Sequence, residues 1–286
     1  MNVCIVLVTH NRLEYTKKTI ARLLEDSGEE FELYIWDNAS NDQTSEYLMD
    51  EVKDPRVVEI VLSKENVGQT GAMNYAWKKT KAELVGKLDN DCLVTPGWTR
   101  ILSQAHIDIE NLGAVACWHY PFDEFDESAA RNAGKIQTFD KHQIVRHPWV
   151  CGSGFIMKRK TFQKFGYWKD GCDIGTTDYF LNMALAGEIN GWYYPLVLQE
   201  HMDDPRSKHS LVTDNESLRE MYNVTFTLRK HKILDIKSRW GRRPMVLKNL
   251  NSEPWDAKYY VGWRGKLNKI KKRLIGILVG LKKKTD

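Results

Sequence analysis

The chain reads as an α/β protein built on a mostly parallel central sheet flanked by helices. Short apolar runs alternate with segments of helical spacing through its N-terminal part, the signature of βαβ units. Polar clusters follow three of these runs: Thr9-His10-Asn11, Asp37-Asn38-Ala39-Ser40 and Asp89-Asn90-Asp91. Open sheets of this kind bind ligands beyond the carboxyl ends of their strands. Three such ends converging on one crevice predict a polar site there.

Asn2–Thr9 is a buried strand, followed by a helix with Ile20, Leu23 and Leu24 at helical spacing. Phe31–Trp36 is a second strand ending at Asp37, Ser45–Val52 a helix, and Val57–Leu62 a third strand. Gln69–Lys81 is a helix with Ala72, Met73, Ala76 and Trp77 on one stripe, and Leu84–Leu88 is a fourth strand. Beyond it, Trp98–Asn111 reads as a helix and Ala114–Trp118 as a strand. Pro121–Gly134 is polar, acidic and aperiodic, which predicts a mobile or acceptor-facing loop. Val150–Met157 is a strand whose Cys151-Gly152-Ser153-Gly154 permits close backbone approach. Thr177–Ala186 and Asp214–Lys230 read as helices and Trp192–Tyr194 as a strand, while Lys232–Tyr260 has no clear period.

With 286 residues and 42% hydrophobic content the chain can bury a sizeable core. Its five cysteines are scattered without a Cys-x-x-Cys spacing, against a disulfide framework and a structural zinc site. Met1–Val8 lacks the basic region and cleavage site of a signal peptide, so a cytoplasmic location is expected. The net charge of +4 comes from one place: Gly262 to Thr285 has no acidic residue but carries Arg264, Lys266, Lys269, Lys271, Lys272, Arg273, Lys282, Lys283 and Lys284. Nucleic acid is therefore not an expected partner. Leu267, Ile270, Leu274, Ile277, Leu278 and Leu281 recur at helical spacing among these charges, which predicts a basic amphipathic helix lying on an anionic membrane. Its apolar stretch is too short to span a bilayer.

Asp89 and Asp91, where a strand meets a loop, are placed to share a divalent cation. Hard cations take carboxylate oxygens and complete their shell with water and phosphate. Alone the pair is a weak signal.

Six ordered segments together resemble the family 2 glycosyltransferases of the GT-A (Rossmann-like) fold, from about Val3 to His201. Val8-Thr9-His10-Asn11-Arg12 is similar to the family's opening strand and turn, and Trp36-Asp37-Asn38-Ala39-Ser40-Asn41-Asp42 to its second-strand signature. Glu65-Asn66-Val67-Gly68 with Asn74 resembles the segment before the metal motif Asp89-Asn90-Asp91. Gly152-Ser153-Gly154-Phe155 and Phe165-Gly166-Tyr167-Trp168 look like the acceptor-side strand and helix. Thr177-Asp178 stands where the family usually has Glu-Asp. The arginine often found soon after that Asp is absent from Asp178-Tyr179-Phe180-Leu181-Asn182-Met183.

The resemblance implies a GT-A domain over residues 1–205, with a nucleotide-sugar half to about residue 95 and an acceptor half beyond it. A helical or irregular extension (206–262) and the membrane-associating tail (263–286) follow. It implies transfer of a sugar from a UDP- or dTDP-linked donor to a hydroxyl of a glycan or lipid-linked acceptor, with inversion. The setting would be cell-surface polysaccharide synthesis, peripheral on the inner face of the cell membrane. Asp178 is the expected catalytic base, a role worth roughly 10²–10⁴-fold in rate. Thr9, Asn11, Arg12, Asp37, Asn66, Gly68, Asn74, Asp89 and Asn90 are the expected nucleotide contacts, with Asp37 accepting from a uracil or thymine imide. Asp89, Asp91 and His201 are the expected ligands of Mn²⁺ or Mg²⁺. Trp118, His119 and Tyr120 offer an aromatic sugar platform or core packing. A sugar-phosphate nucleotidyltransferase would need a glycine-rich basic loop where the chain has Thr9-His10-Asn11-Arg12-Leu13. A non-catalytic nucleotide-sugar-binding or scaffold protein on the same fold is the alternative reading.

Overall fold

The computed structural model describes residues 2–26, 31–168, 178–225, 235–241, 243–267 and 270. The N-terminal part is β1 (Val3–Thr9), α1 (Leu13–Asp26), β2 (Glu32–Asp37), α2 (Thr44–Asp50), β3 (Val57–Leu62), α3 (Gly68–Lys79) and β4 (Leu84–Asp89). Next come β5 (Cys92–Val94), α4 (Trp98–Asp108), β6 (Leu112–Ala116), α5 (Glu127–Asn132), β7 (Ile136–Phe139), β8 (His142–Arg146), β9 (Gly154–Lys158) and α6 (Arg159–Phe165). The chain continues through α7 (Tyr179–Leu185), β10 (Ile189–Tyr194), β11 (Gln199–His201), α8 (Asn215–Thr225), α9 (Ile236–Trp240) and α10 (Arg243–Ser252).

Among the described residues one nine-stranded sheet runs β3-β2-β1-β4-β9-β6-β10-β8-β7. β1 pairs in parallel with β2 and β4, and β2 with β3. β9 runs against β4 and β6, and β8 against β10 and β7. The sheet lies between two cores, and β1 shows why. Every residue of β1 is buried, with Val3, Ile5 and Leu7 in one cluster and Cys4, Val6 and Val8 in the other. Alternating side chains of a central strand must satisfy both faces, so its sequence is apolar throughout.

A second, two-stranded sheet pairs β5 with β11 in antiparallel register, Cys92 opposite His201. It folds the segment after the fourth strand onto the residues around His201. Gly154, at the start of β9, makes this approach possible: a Cβ there would lie 1.9 Å from Gln199 Oε1.

The expected strands and helices of the N-terminal part all form, with ends shifted by a residue or two. Pro121–Gly134 is not wholly irregular. Asp126 accepts from the Ala129 amide and caps the short helix α5. The strand expected over Val150–Met157 starts only at Gly154, and the β7–β8 hairpin was not read from the sequence. Lys232–Tyr260 contains α9, α10 and a 3-10 turn at Ala257–Tyr260. Val212, Leu218, Tyr222 and Trp240 form a small core of their own in this extension. Thr177 and most of the basic tail lie outside the described residues. Residues 262–267 are helical, and Trp263, Leu267 and Ile270 are exposed. No helix among the described residues is long and apolar enough to cross a membrane.

Candidate active site

The carboxyl ends of β1, β2 and β4 lie side by side, Val8 opposite Asp89 and Thr9 opposite Asp37. Their loops are laced together. Asn11 N donates to Ser40 Oγ at 2.7 Å, Asn41 N to Asn11 Oδ1 at 2.7 Å, and Leu13 N to Asp42 Oδ2 at 3.2 Å. The lacing holds Asn11, Arg12 and Ala39 at φ of 55°, 67° and 61°, left-handed geometry that non-glycine residues adopt only where their surroundings impose it. One result is that the Arg12 side chain turns inward.

Arg12 Nη2 donates to Asp91 Oδ2 at 2.7 Å, with each side chain 9% exposed. Burial works against the Arg12 charge, but Asp91 and then Asp203 outweigh it and raise its pKa. Burial likewise pushes Asp91 up, yet Arg12 and His201 hold it well below the usual carboxylate range. Asp89 behaves oppositely. Burial pushes it up to about 6 against the pull of Lys87, and Asp91 adds repulsion. Asp89 Oδ1 pairs with the fully buried Lys87 ammonium and accepts from Gln69 Nε2 at 3.2 Å.

Asp91, Cys92 and His201 each present a ligand atom within 4.8 Å of the others; Asp89 is outside this group. His201 Nδ1 lies 3.7 Å from Asp91 Oδ2 and 3.9 Å from Asp203 Oδ1. Two donors each about 2.1 Å from a shared cation stand at most about 4.2 Å apart, so these separations fit one ion. Burial pushes the Cys92 thiol well above its ordinary value, leaving it a poor ligand for a hard cation. Its sulfur is 3.6 and 3.8 Å from the two His201 ring nitrogens, against the ring instead of on one lone pair. The donor set therefore suits Mn²⁺ or Mg²⁺ on Asp91 and His201, with Asp203 at the edge.

Several expected nucleotide contacts are engaged inside the protein. Asn90 Nδ2 donates to Thr16 Oγ1 at 2.9 Å, Asn11 O at 3.2 Å and Thr9 Oγ1 at 3.3 Å, so Asn90 and Thr9 pin the metal-motif turn to α1. Asp37 is buried; it accepts from the Ser40 hydroxyl, from Ser45 Oγ at 2.7 Å and from Ser40 N at 3.3 Å. Of about four carboxylate lone-pair sites, these bonds take three. Asn66 Oδ1 accepts from Gly68 N at 2.9 Å, and Gly68 takes φ 74° to start α3. Asn74 clasps the Trp168 backbone in both directions, at 2.7 and 3.0 Å. Asp178 is exposed at the N-cap of α7, but its side chain accepts no capping hydrogen bond. Trp118 is buried in the core, packed edge-on against Trp192.

Lys87, Gln69, Gln199 and Asp203 escaped the sequence reading. Lys87 was legible in principle: on a strand, residues i and i+2 share a face, so Lys87 and Asp89 point together. Asp203 lies past the end of β11, in a turn closed by Asp204 N donating to His201 O at 3.1 Å, so strand parity does not reveal it. Gln199 Nε2, which donates to Ser153 Oγ at 2.7 Å, belongs to a contact that only the fold creates.

This sheet and this cluster define an α/β protein with a polar, cation-capable crevice at its parallel strand ends. The chain belongs to Glycosyl transferase family 2, whose profile matches residues 4–166. No curated protein matches it. Among solved structures, the mannosyltransferase PcManGT from Pyrobaculum calidifontis, in complex with GDP-Man and Mn²⁺, is 20% identical with a TM-score of 0.54, covering 66% of this chain and 54% of that one. S. aureus TarS 1-349 with UDP-GlcNAc is 14% identical at TM-score 0.53, covering 70% and 58%. GalNAc-T7 with UDP, GalNAc and Mn²⁺ is 15% identical at TM-score 0.55, covering 91% and 56%. These likenesses establish the GT-A fold, and the chain spans little more than half the length of each of these structures.

Proposed function

We propose that this protein is an inverting, metal-dependent glycosyltransferase that uses a nucleoside-diphosphate sugar. The observation that carries this reading is the meeting of Asp91, His201 and Arg12 at the carboxyl edge of the parallel strands in a family 2 chain. Asp91 and His201 would hold Mn²⁺ or Mg²⁺, which when bound neutralises a departing diphosphate. The Mn²⁺ and nucleotides in solved structures of the same fold support this assignment.

Asp37, at the end of β2, contributes its remaining lone-pair site to a uracil or thymine imide, which favours a UDP- or dTDP-linked donor. Asn11, Asn66 and Gly68 shape the loops around that base, while Thr9, Asn74 and Asn90 hold those loops in place. Asp178 takes the proton from an acceptor hydroxyl. Its exposure and the lack of a capping bond among the described residues support a carboxylate free to act as base toward an acceptor hydroxyl. Attack opposite the leaving group in one displacement inverts the anomeric centre.

The acceptor is a glycan or lipid-linked saccharide of surface-polysaccharide assembly, met at the cytoplasmic face of a membrane. Exposed Trp263, Leu267 and Ile270, with Arg264 and Lys266 between them, support contact with anionic lipid. The second reading, a donor-binding protein without turnover, is favoured by Asp178 lacking the neighbouring Glu and following Arg.

A thermal-shift and hydrolysis screen of nucleotide sugars, with and without Mn²⁺ or Mg²⁺, tests both. Metal-dependent stabilisation by one donor with slow release of its diphosphate supports the enzyme. Stabilisation without release supports the binder, and no response to any donor removes both.

A further inference from the structure

Arg12 stands where a cation held by Asp91 needs to be. Its Nη2 is 2.7 Å from Asp91 Oδ2, the same oxygen that faces His201 Nδ1 at 3.7 Å. Asp203, also buried and 3.9 Å from His201 Nδ1, adds a second carboxylate that favours the guanidinium. A guanidinium and a divalent ion about 4 Å apart repel by about 8 kcal/mol even at an effective dielectric of 20, which sets Arg12 against an ion on this oxygen, where both side chains of the pair are only 9% exposed.

The contact is built into the backbone. Consecutive left-handed residues at Asn11 and Arg12, held by Ser40 and Asn41, aim the side chain at Asp91. It is also incomplete. Arg12 Nε is buried without a hydrogen-bond partner, and the guanidinium carbon lies 5.0 Å from the centre of the Tyr15 ring. A guanidinium fork has five donors, and an Arg–carboxylate pair at full strength uses two of them in parallel. Among the described residues this one reaches Asp91 through a single hydrogen bond, from Nη2, a geometry suited to exchange more than to permanent structure.

We propose that Arg12 is a resident counter-cation of the metal seat: it neutralises Asp91 in the unloaded protein and leaves for the open crevice when a divalent ion takes its place. The proposal rests on the metal-dependent reading above. It makes metal affinity a contest between the ion and Arg12, so the unloaded protein binds metal weakly.

The test is Mn²⁺ binding to nucleotide-free protein, followed by the electron-spin resonance of free Mn²⁺, in the wild type and in Arg12→Met. Removing the competitor should tighten binding by about tenfold or more. In parallel, wild-type protein is treated with an arginine-selective dicarbonyl and the labelled peptides are mapped. Arg12 should be protected in EDTA and labelled several-fold faster with Mn²⁺. If Arg12→Met does not fold, judged by its near-ultraviolet circular dichroism, the labelling decides alone. Mn²⁺ binding that Arg12→Met leaves unchanged or weakens, or Arg12 labelling that Mn²⁺ does not raise, overturns the exchange and leaves the metal site standing. Failure of both proteins to bind Mn²⁺ overturns the exchange together with the metal-dependent reading.

Discussion

The N-terminal half of the sheet, β1 to β4, and the C-terminal half, β6 to β10, hold their polar residues by opposite means. In the first, charged, amide and hydroxyl side chains at the strand ends and the helices after them bond one another: Arg12 with Asp91, Lys87 with Asp89, Asn90 with Thr16, Asp37 with Ser45. In the second, aromatic rings do the joining. Trp118 packs edge-on to Phe125 and Trp192 at 5.2 and 5.4 Å, and Trp168 stacks on Tyr179 at 3.9 Å. The expected base, Asp178, stands exposed at the margin of that aromatic layer. The first half therefore couples stability to chemistry, because its reactive groups are also its internal bonds. The second separates them.

The sharpest way to break the comparison is a pair of isosteric substitutions. Asp91→Asn should abolish metal-dependent turnover, a loss on the order of 10³-fold or more. It should also destabilise the metal-free fold by about 1.5–3 kcal/mol, since Arg12 loses its charged hydrogen-bond partner. Asp178→Asn should lower kcat by roughly 10²–10⁴-fold. Urea unfolding of that variant should stay within about 0.5 kcal/mol of wild type, and its nucleotide binding should be unchanged. Equal stability losses in the two variants would falsify the division.

Much of this was legible because strand ends announce themselves. β1 is apolar on both faces and stops at Thr9, so the polar residues after it had to lie at the crevice. What the sequence did not show is which polar residues face outward. Asn90 and Thr9 carry the look of ligand contacts, yet Thr9 bonds Thr16 on the following helix, and Asn90 reaches back from the fourth strand to Thr16 and Asn11. Lys87 was hidden by its apolar neighbours, although parity with Asp89 was there to be read. The pairing of β5 with β11 depends on long-range packing around Gly154 and Gln199, for which no local pattern exists.

A buried titrating group in the C-terminal half gives the next largest effect. His106, on α4, donates from Nε2 to Ile156 O at 3.0 Å, and burial lowers its pKa from 6.5 to about 3 despite that bond, with Lys158 adding to the fall. Below pH 6.5 the unfolded chain gains a proton here that the folded one refuses. Stability should therefore fall as pH drops from about 6.5 toward 3, by about 1.4 kcal/mol per unit from this group. His106→Gln should flatten the slope of urea-unfolding free energy between pH 4.5 and 6.5 by about that amount. An unchanged slope would assign the acid sensitivity elsewhere.

The smallest expected effect lies where the halves meet. Asn74, on α3 of the N-terminal half, donates to Trp168 O and accepts from Trp168 N across the boundary. Trp168 in turn stacks on Tyr179, the residue after Asp178. If Asn74 is a clasp, Asn74→Ala leaves a buried amide and carbonyl unpaired and costs about 1–3 kcal/mol. Donor KM should then stay within about twofold while kcat falls modestly, because the ring that seats α7 loses its anchor. If Asn74 instead contacts the donor, KM rises and stability holds. Measuring both quantities on this one variant tells whether the halves communicate through packing or only through the substrate that joins them.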